Sequence, residues 1–179
     1  MNSFSMQSTI AASAEISGVE LHGGKFTNLK MLPAEVDAGI NFIRTDIADR
    51  NNIIKVVPSS VSCVLNCTTL SNIAGVTVST VEHLLAALAA CGIDNINIEI
   101  DGNEIPAVDG SAEPFLKAIE NAKIKKQSSP RRYVKVLKPV EVSIGDAYAK
   151  IEPSDQMELD VTIDYEDKAI GIQNFQISP

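Results

Sequence analysis

The sequence predicts an α+β fold, and three features carry that expectation. Residues 8–72 read as short strands broken by turns, with Gly23-Gly24 and Asn51-Asn52 as the clearest punctuation. The segment Asn95-Ile96-Asn97-Ile98-Glu99-Ile100 alternates strictly, setting its isoleucines against a core and its polar side chains away from it, so one face of the sheet is buried. Two further stretches, 80–90 and 111–122, carry helical patterns instead.

Within the first half, strands are expected at 10–16, 26–32, 39–44 and 61–70. Val78 leads into a helix over 80–90, closed by Gly92 in the C-terminal position that glycine favours. Its apolar stripe is Val81, Leu84, Leu85 and Leu88, while His83 shares another face with Ala86, Ala87 and Ala90. After the strand at 95–100, a polar turn ending in Asp109-Gly110-Ser111 opens the second helix, with Ser111 as N-cap and Pro114 in the first turn.

A basic stretch then gathers Lys123, Lys125, Lys126, Arg131 and Arg132 around Ser128-Ser129-Pro130. It reads as a solvated linker, with peripheral contact to a membrane surface or an anionic ligand as the alternative. Beyond it, strands are expected at 133–142, 147–152 and 157–163. The organisation is therefore a first α+β domain over 1–127 and the opening strands of a second, truncated domain over 128–179. Three strands with no amphipathic helix to cover them make a domain too small to support itself, and Gln176-Ile177-Ser178-Pro179 shows no terminal element. The chain is expected to be truncated or completed elsewhere.

Composition narrows the function classes. With 179 residues, 45% of them hydrophobic, the chain can bury a substantial core. A formal net charge of -8 argues against a nucleic-acid partner, since phosphate binding wants a basic surface. The longest apolar run is interrupted by Glu82, His83 and Cys91, short of the roughly 20 residues that span a bilayer. The first seven residues lack the basic start and apolar centre of a secretory signal. A cytoplasmic protein without a transmembrane segment is expected. Cys63, Cys67 and Cys91 form no close C-x-x-C pair and fit reduced thiols.

The chemistry concentrates in Ser79-Thr80-Val81-Glu82-His83-Leu84. A carboxylate and an imidazole at adjacent positions of a first helical turn form half of a metal-hydrolase centre, the histidine binding metal and the glutamate moving protons. An H-E-x-x-H arrangement would need a second histidine on the helix, but positions 79 and 87 are Ser and Ala. His22 and His83 are the two histidines of the sequence, so a three-histidine site is excluded within one copy. The competing reading makes Ser79-x-x-Glu82 a capping box, each side chain bonding the other's amide, with His83 unliganded. Gly23-Gly24-Lys25 lacks the earlier glycine and the hydroxyl residue of a P-loop.

Four separated stretches, 18–25 (Gly-Val-Glu-Leu-His-Gly-Gly-Lys), 79–84, 92–95 (Gly-Ile-Asp-Asn) and 104–115 (Glu-Ile-Pro-Ala-Val-Asp-Gly-Ser-Ala-Glu-Pro-Phe), resemble in order and spacing the N-terminal part of the UDP-3-O-acyl-N-acetylglucosamine deacetylases, the zinc amidases of lipid A biosynthesis. Arg44-Thr45-Asp46 and Cys67-Thr68-Thr69-Leu70 are similar to that family too. The resemblance runs to about Ile170. It implies a two-layer sandwich, a sheet with helices on one side, plus the incomplete start of a second similar domain, with the active site between the two. It also implies that His83 binds zinc, that Glu82 is the general base, and that His22 lies near the cleft and contacts substrate; a surface-loop histidine is the alternative for His22.

By the same resemblance, the remaining zinc ligands, a histidine and an aspartate, and the general-acid histidine fall beyond residue 179. A missing C-terminal half or a second chain would then complete the site, and this chain alone is expected to be inactive or nearly so. The implied function is zinc-dependent release of acetate from a UDP-linked, O-acylated N-acetylglucosamine. The alternative is a catalytically silent binding or interaction module that retains the first domain.

Overall fold

The computed structural model describes residues 5–178. The chain runs through β1 (Met6–Ile10), β2 (Ala14–Val19), β3 (Phe26–Pro33), β4 (Ile40–Arg44), β5 (Ile53–Lys55), a 3-10 turn (Pro58–Ser60), β6 (Val61–Cys63), β7 (Thr69–Ser71) and β8 (Thr77–Val78). It continues through α1 (Glu82–Ala90), β9 (Ile96–Ile100), α2 (Glu113–Ala122), β10 (Ile124–Pro130), β11 (Val140–Ile144), β12 (Ala147–Ile151), β13 (Leu159–Asp164) and β14 (Ile172–Ile177). Two compact units divide between Arg131 and Arg132.

The alternation read in 95–100 sets the centre of the first unit. Ile96, Ile98 and Ile100 are buried, while Asn97 and Glu99 are half-exposed. β9 lies in a five-stranded sheet of order β2-β3-β9-β4-β5, antiparallel except where β9 runs parallel to β4. The register sets Ile98 beside both Met31 and Phe42, and Ile100 beside Leu29, so the apolar positions of three strands share one face. Onto that face α1 brings Leu84, Ala87 and Leu88, with Val81 just before it, and α2 brings Phe115, Ile119 and Ala122, all in one continuous core. Burying each large side chain contributes about 1.5–3 kcal/mol. The α+β reading with both helices over one sheet face holds.

Several local expectations are corrected by pairing. The segment 10–16 is two strands: β1 pairs with β10 and β2 with β3, so the chain must turn between them. The segment 61–70 is likewise the hairpin β6–β7, with Val61 opposite Leu70. The basic stretch is no linker, because β10 is antiparallel to β1 with Lys125 opposite Thr9 and Lys126 opposite Ser8. Lys126 Nζ donates to Ser8 Oγ at 3.1 Å. Ser128, Ser129 and Pro130 therefore belong to the first unit, past the boundary expected at 127.

The second unit holds two antiparallel hairpins, β11–β12 and β13–β14. Residues 133–139 are irregular and the strand starts at Val140. β14 was invisible in the sequence because Ile172, Phe175 and Ile177 do not alternate cleanly. No helix among the described residues is long and apolar enough to cross a membrane.

Candidate functional site

The site begins at the passage from β8 into α1. Ser79 donates its N–H to the Asn103 carbonyl at 2.9 Å and accepts from the Ile105 N–H at 3.1 Å, a parallel bridge that fixes it beside Glu104. Thr80 then takes a φ of 58°, a left-handed conformation that costs a β-branched residue energy and needs surrounding contacts to hold it. Val81, buried, follows as the residue that caps the helix, and α1 starts at Glu82. Upstream, Arg44 grips Asp46 through Nε and Nη2 at 2.8 and 2.6 Å and donates Nη1 to the Thr77 carbonyl at 2.7 Å. That tie anchors β8 to the end of β4, and the guanidinium holds the Asp46 carboxyl below the usual carboxylate range.

The expected capping box does not form. The Ser79 amide is committed to Asn103, and the left-handed turn at Thr80 carries Ser79 out of reach of the first helical turn. Glu82 Oε2 instead accepts from the Thr68 N–H at 3.1 Å, which docks the 64–68 loop on the start of the helix. Glu82 and His83 are both half-buried. Among the described residues the His83 ring makes no hydrogen bond or ion pair, and beside it Ala86 and Ala90 are exposed while Ala87 enters the core. A half-exposed imidazole next to a carboxylate held by one backbone donor can take a ligand on the ring and a proton on the carboxylate.

His22 sits in the exposed turn after β2. Its Nδ1 lies 2.7 Å from Glu104 Oε1. Its backbone N–H donates to both Glu104 oxygens at 3.1 and 3.2 Å, and Gly23 N–H donates to Oε2 at 2.9 Å. Thr80 Oγ1 adds a fourth donor group, 2.9 Å from Oε1. Glu104 is 3% exposed. Burial pushes its carboxyl up, but the bonds from Gly23, His22 and Thr80 outweigh this and hold it below the ordinary range. A Cβ at Gly23 would run into Glu20 Oε2, so any side chain there would force the Glu20 carboxylate to move.

The structure thus brings Glu82 and His83 together by adjacency and joins His22 to them through Glu104 and Thr80. Sequence reasoning missed Glu104: it opens the 104–115 motif, and nothing local marks it as buried. At the second helix Pro114 lies in the first turn as expected, but the N-cap is Ala112, without a side-chain cap, in place of Ser111; Ser111 Oγ accepts from the Glu113 N–H at 3.2 Å and Asp109 Oδ1 accepts from Ser111. A recess of about 380 Å³ in the first unit is bordered by Glu20, Lys25, Arg44, Asp46 and Asp101, away from Glu82 and His83.

A metal fits this site only in part. No group of three or more His, Cys, Asp or Glu side chains among the described residues could hold an ion, whereas a catalytic zinc takes three protein ligands. His83 offers one donor, so the zinc centre implied by the resemblance is not built by these residues alone.

Comparison with known proteins bears on the same segments. The family model described as UDP-3-O-acyl N-acetylglycosamine deacetylase matches residues 7–179. A UDP-3-O-acyl-N-acetylglucosamine deacetylase of Phenylobacterium zucineum (strain HLK1) is 44% identical over 167 residues, 93% of this chain and 57% of the relative. Those of Anaeromyxobacter sp. (strain Fw109-5) and Haemophilus influenzae (strain PittEE) are each 40% identical, over 96% of this chain and 55% and 57% of their own lengths. The chain spans a little over half the length of these relatives. With the Glu82–His83 turn, the His22 loop and the 104–115 motif all inside the matched region, the chain belongs to the UDP-3-O-acyl N-acetylglycosamine deacetylase family.

Proposed function

We propose that this chain supplies the general base and one metal ligand of a zinc-dependent deacetylase that releases acetate from UDP-3-O-acyl-N-acetylglucosamine in lipid A biosynthesis. The observation that carries the reading is the half-exposed Glu82–His83 pair at the start of α1, with an imidazole free of protein partners among the described residues. In this reading Glu82 takes the proton of the attacking water, and its hydrogen bond from Thr68 N–H aims the carboxylate while leaving a second oxygen for that proton. His83 is a zinc ligand, and the other metal donors come from outside this chain, in the remaining length that the relatives have or in a second chain. His22, tied to the same turn through Glu104, contacts the substrate. In this reading the reaction takes place in the cytoplasm, and the two units are a first α+β domain and the opening strands of a second.

The test is a chimera in which this chain is continued by the part of the Phenylobacterium relative that lies beyond the matched segment. The chimera should hold close to one zinc per chain and release acetate, and His83→Ala should lose the zinc. A His83→Ala chimera that keeps its zinc, or a zinc-free folded chimera, would favour the silent binding module instead.

A further inference from the structure

The unusual object in the first unit is the Glu104 carboxylate. It is buried, and four donor groups converge on it: the backbone N–H groups of His22 and Gly23, His22 Nδ1 and Thr80 Oγ1, at 2.7–3.2 Å. The carboxylate has no room for a proton, because donors face both oxygens. Oε1 receives His22 and Thr80, and Oε2 receives Gly23 as well as the second arm of the His22 amide. An ionised carboxylate only accepts. The ring nitrogen that faces it must therefore carry the hydrogen, and in the neutral imidazole the other nitrogen is then an acceptor.

We propose that Glu104 is a positioning residue: it locks neutral His22 as the Nδ1–H tautomer, leaves Nε2 as the ring's acceptor, and with the same carboxylate holds Thr80 in the left-handed turn that starts α1. One buried charge thereby couples the orientation of the His22 ring to the placement of Glu82 and His83. The consequence for ligands is a polarity. Neutral His22 accepts through Nε2 from a hydroxyl or ammonium donor and does not donate to a phosphate oxygen. That consequence rests on the reading of His22 as a substrate contact; the tautomer itself does not.

Glutamine cannot replace Glu104 even though it has the same shape. Its amide nitrogen is a donor, and at either oxygen position it would face another donor, Gly23 N–H on one side or His22 Nδ1–H and Thr80 Oγ1–H on the other. The experiment records the ring-nitrogen shifts of the full chain by two-bond 1H–15N correlation in mildly alkaline buffer, where free imidazole is neutral. With two histidines in the sequence, His83→Ala assigns the spectrum. Wild-type His22 should show a protonated-type Nδ1 and a bare Nε2, and Glu104→Gln should lose that pattern for a mixture or for the Nε2–H form. A wild-type His22 with hydrogen on Nε2, or a Glu104→Gln protein that keeps the wild-type pattern, would overturn the proposal. Should Glu104→Gln not fold, the wild-type spectrum still decides. The measurement involves neither zinc nor substrate, so its failure is separate from failure of the deacetylase reading, which the metal content of the chimera reports.

Discussion

Glu104 shows how a single buried charge organises this site, and it makes two stability predictions. Glu104→Ala removes an acceptor from four donors. The His22 and Gly23 amides lie in an exposed turn and can turn to water, but Thr80 is buried. The loss should therefore be about 1–3 kcal/mol, read as a lower midpoint in urea unfolding. The pH dependence has a definite sign. A carboxyl held below its unfolded value in the folded protein contributes stability above that unfolded value, and the contribution disappears as pH falls through the folded one. Glu104 and, through Arg44, Asp46 both behave this way, so unfolding midpoints should drop on acidification below the ordinary carboxylate range, with a shallower drop in Glu104→Gln. Equal slopes in the two proteins would remove Glu104 from the account. The sequence displayed Glu82 and His83 plainly because they are adjacent on one helical turn. It hid Glu104 because its partners lie 82, 81 and 24 residues away, and it promoted a capping box because the left-handed turn at Thr80 leaves no mark on a threonine.

Elements were readable where periodicity alone decides them. β3, β4, β9 and α1 carry their buried faces in their own sequence, and Leu88, at 0% exposure in α1, should cost about 2–5 kcal/mol when cut to alanine. A change under half a kcal/mol, about the size of a surface substitution, would mean that α1 does not pack as described. Pairing was not readable where a strand lacks apolar alternation. Between Ile124 and Pro130, β10 is lysines, a glutamine and serines, and its strand character comes from β1 across the ladder. Its amides should accordingly be protected in hydrogen exchange together with those of β1; amides at 124–129 exchanging at free-peptide rates would restore the solvated linker. The same reason explains why 10–16 and 61–70 each looked like one strand: alternation marks extended backbone but not the point where it changes partner.

The molecule as a whole divides unequally. The first unit owns a continuous core from sheet and both helices, while the second is two hairpins whose strands expose all their described side chains. Two-stranded hairpins are marginal on their own in water. Amides of β11–β14 should therefore lose protection at lower urea than those of β3 and β9, and a single shared transition would contradict that division. The family was readable in the sequence because its motifs lie in order along the first unit, and the matched relatives extend well beyond the part they share with this chain. The reading of function finally turns on Glu82. In the chimera completed by the Phenylobacterium relative, acetate release by Glu82→Gln should fall by about 10²- to 10⁴-fold, the usual worth of a general base, while zinc content stays at the wild-type level. Acetate release at the wild-type rate with zinc in place would show that this carboxylate is not the base and would contradict the account.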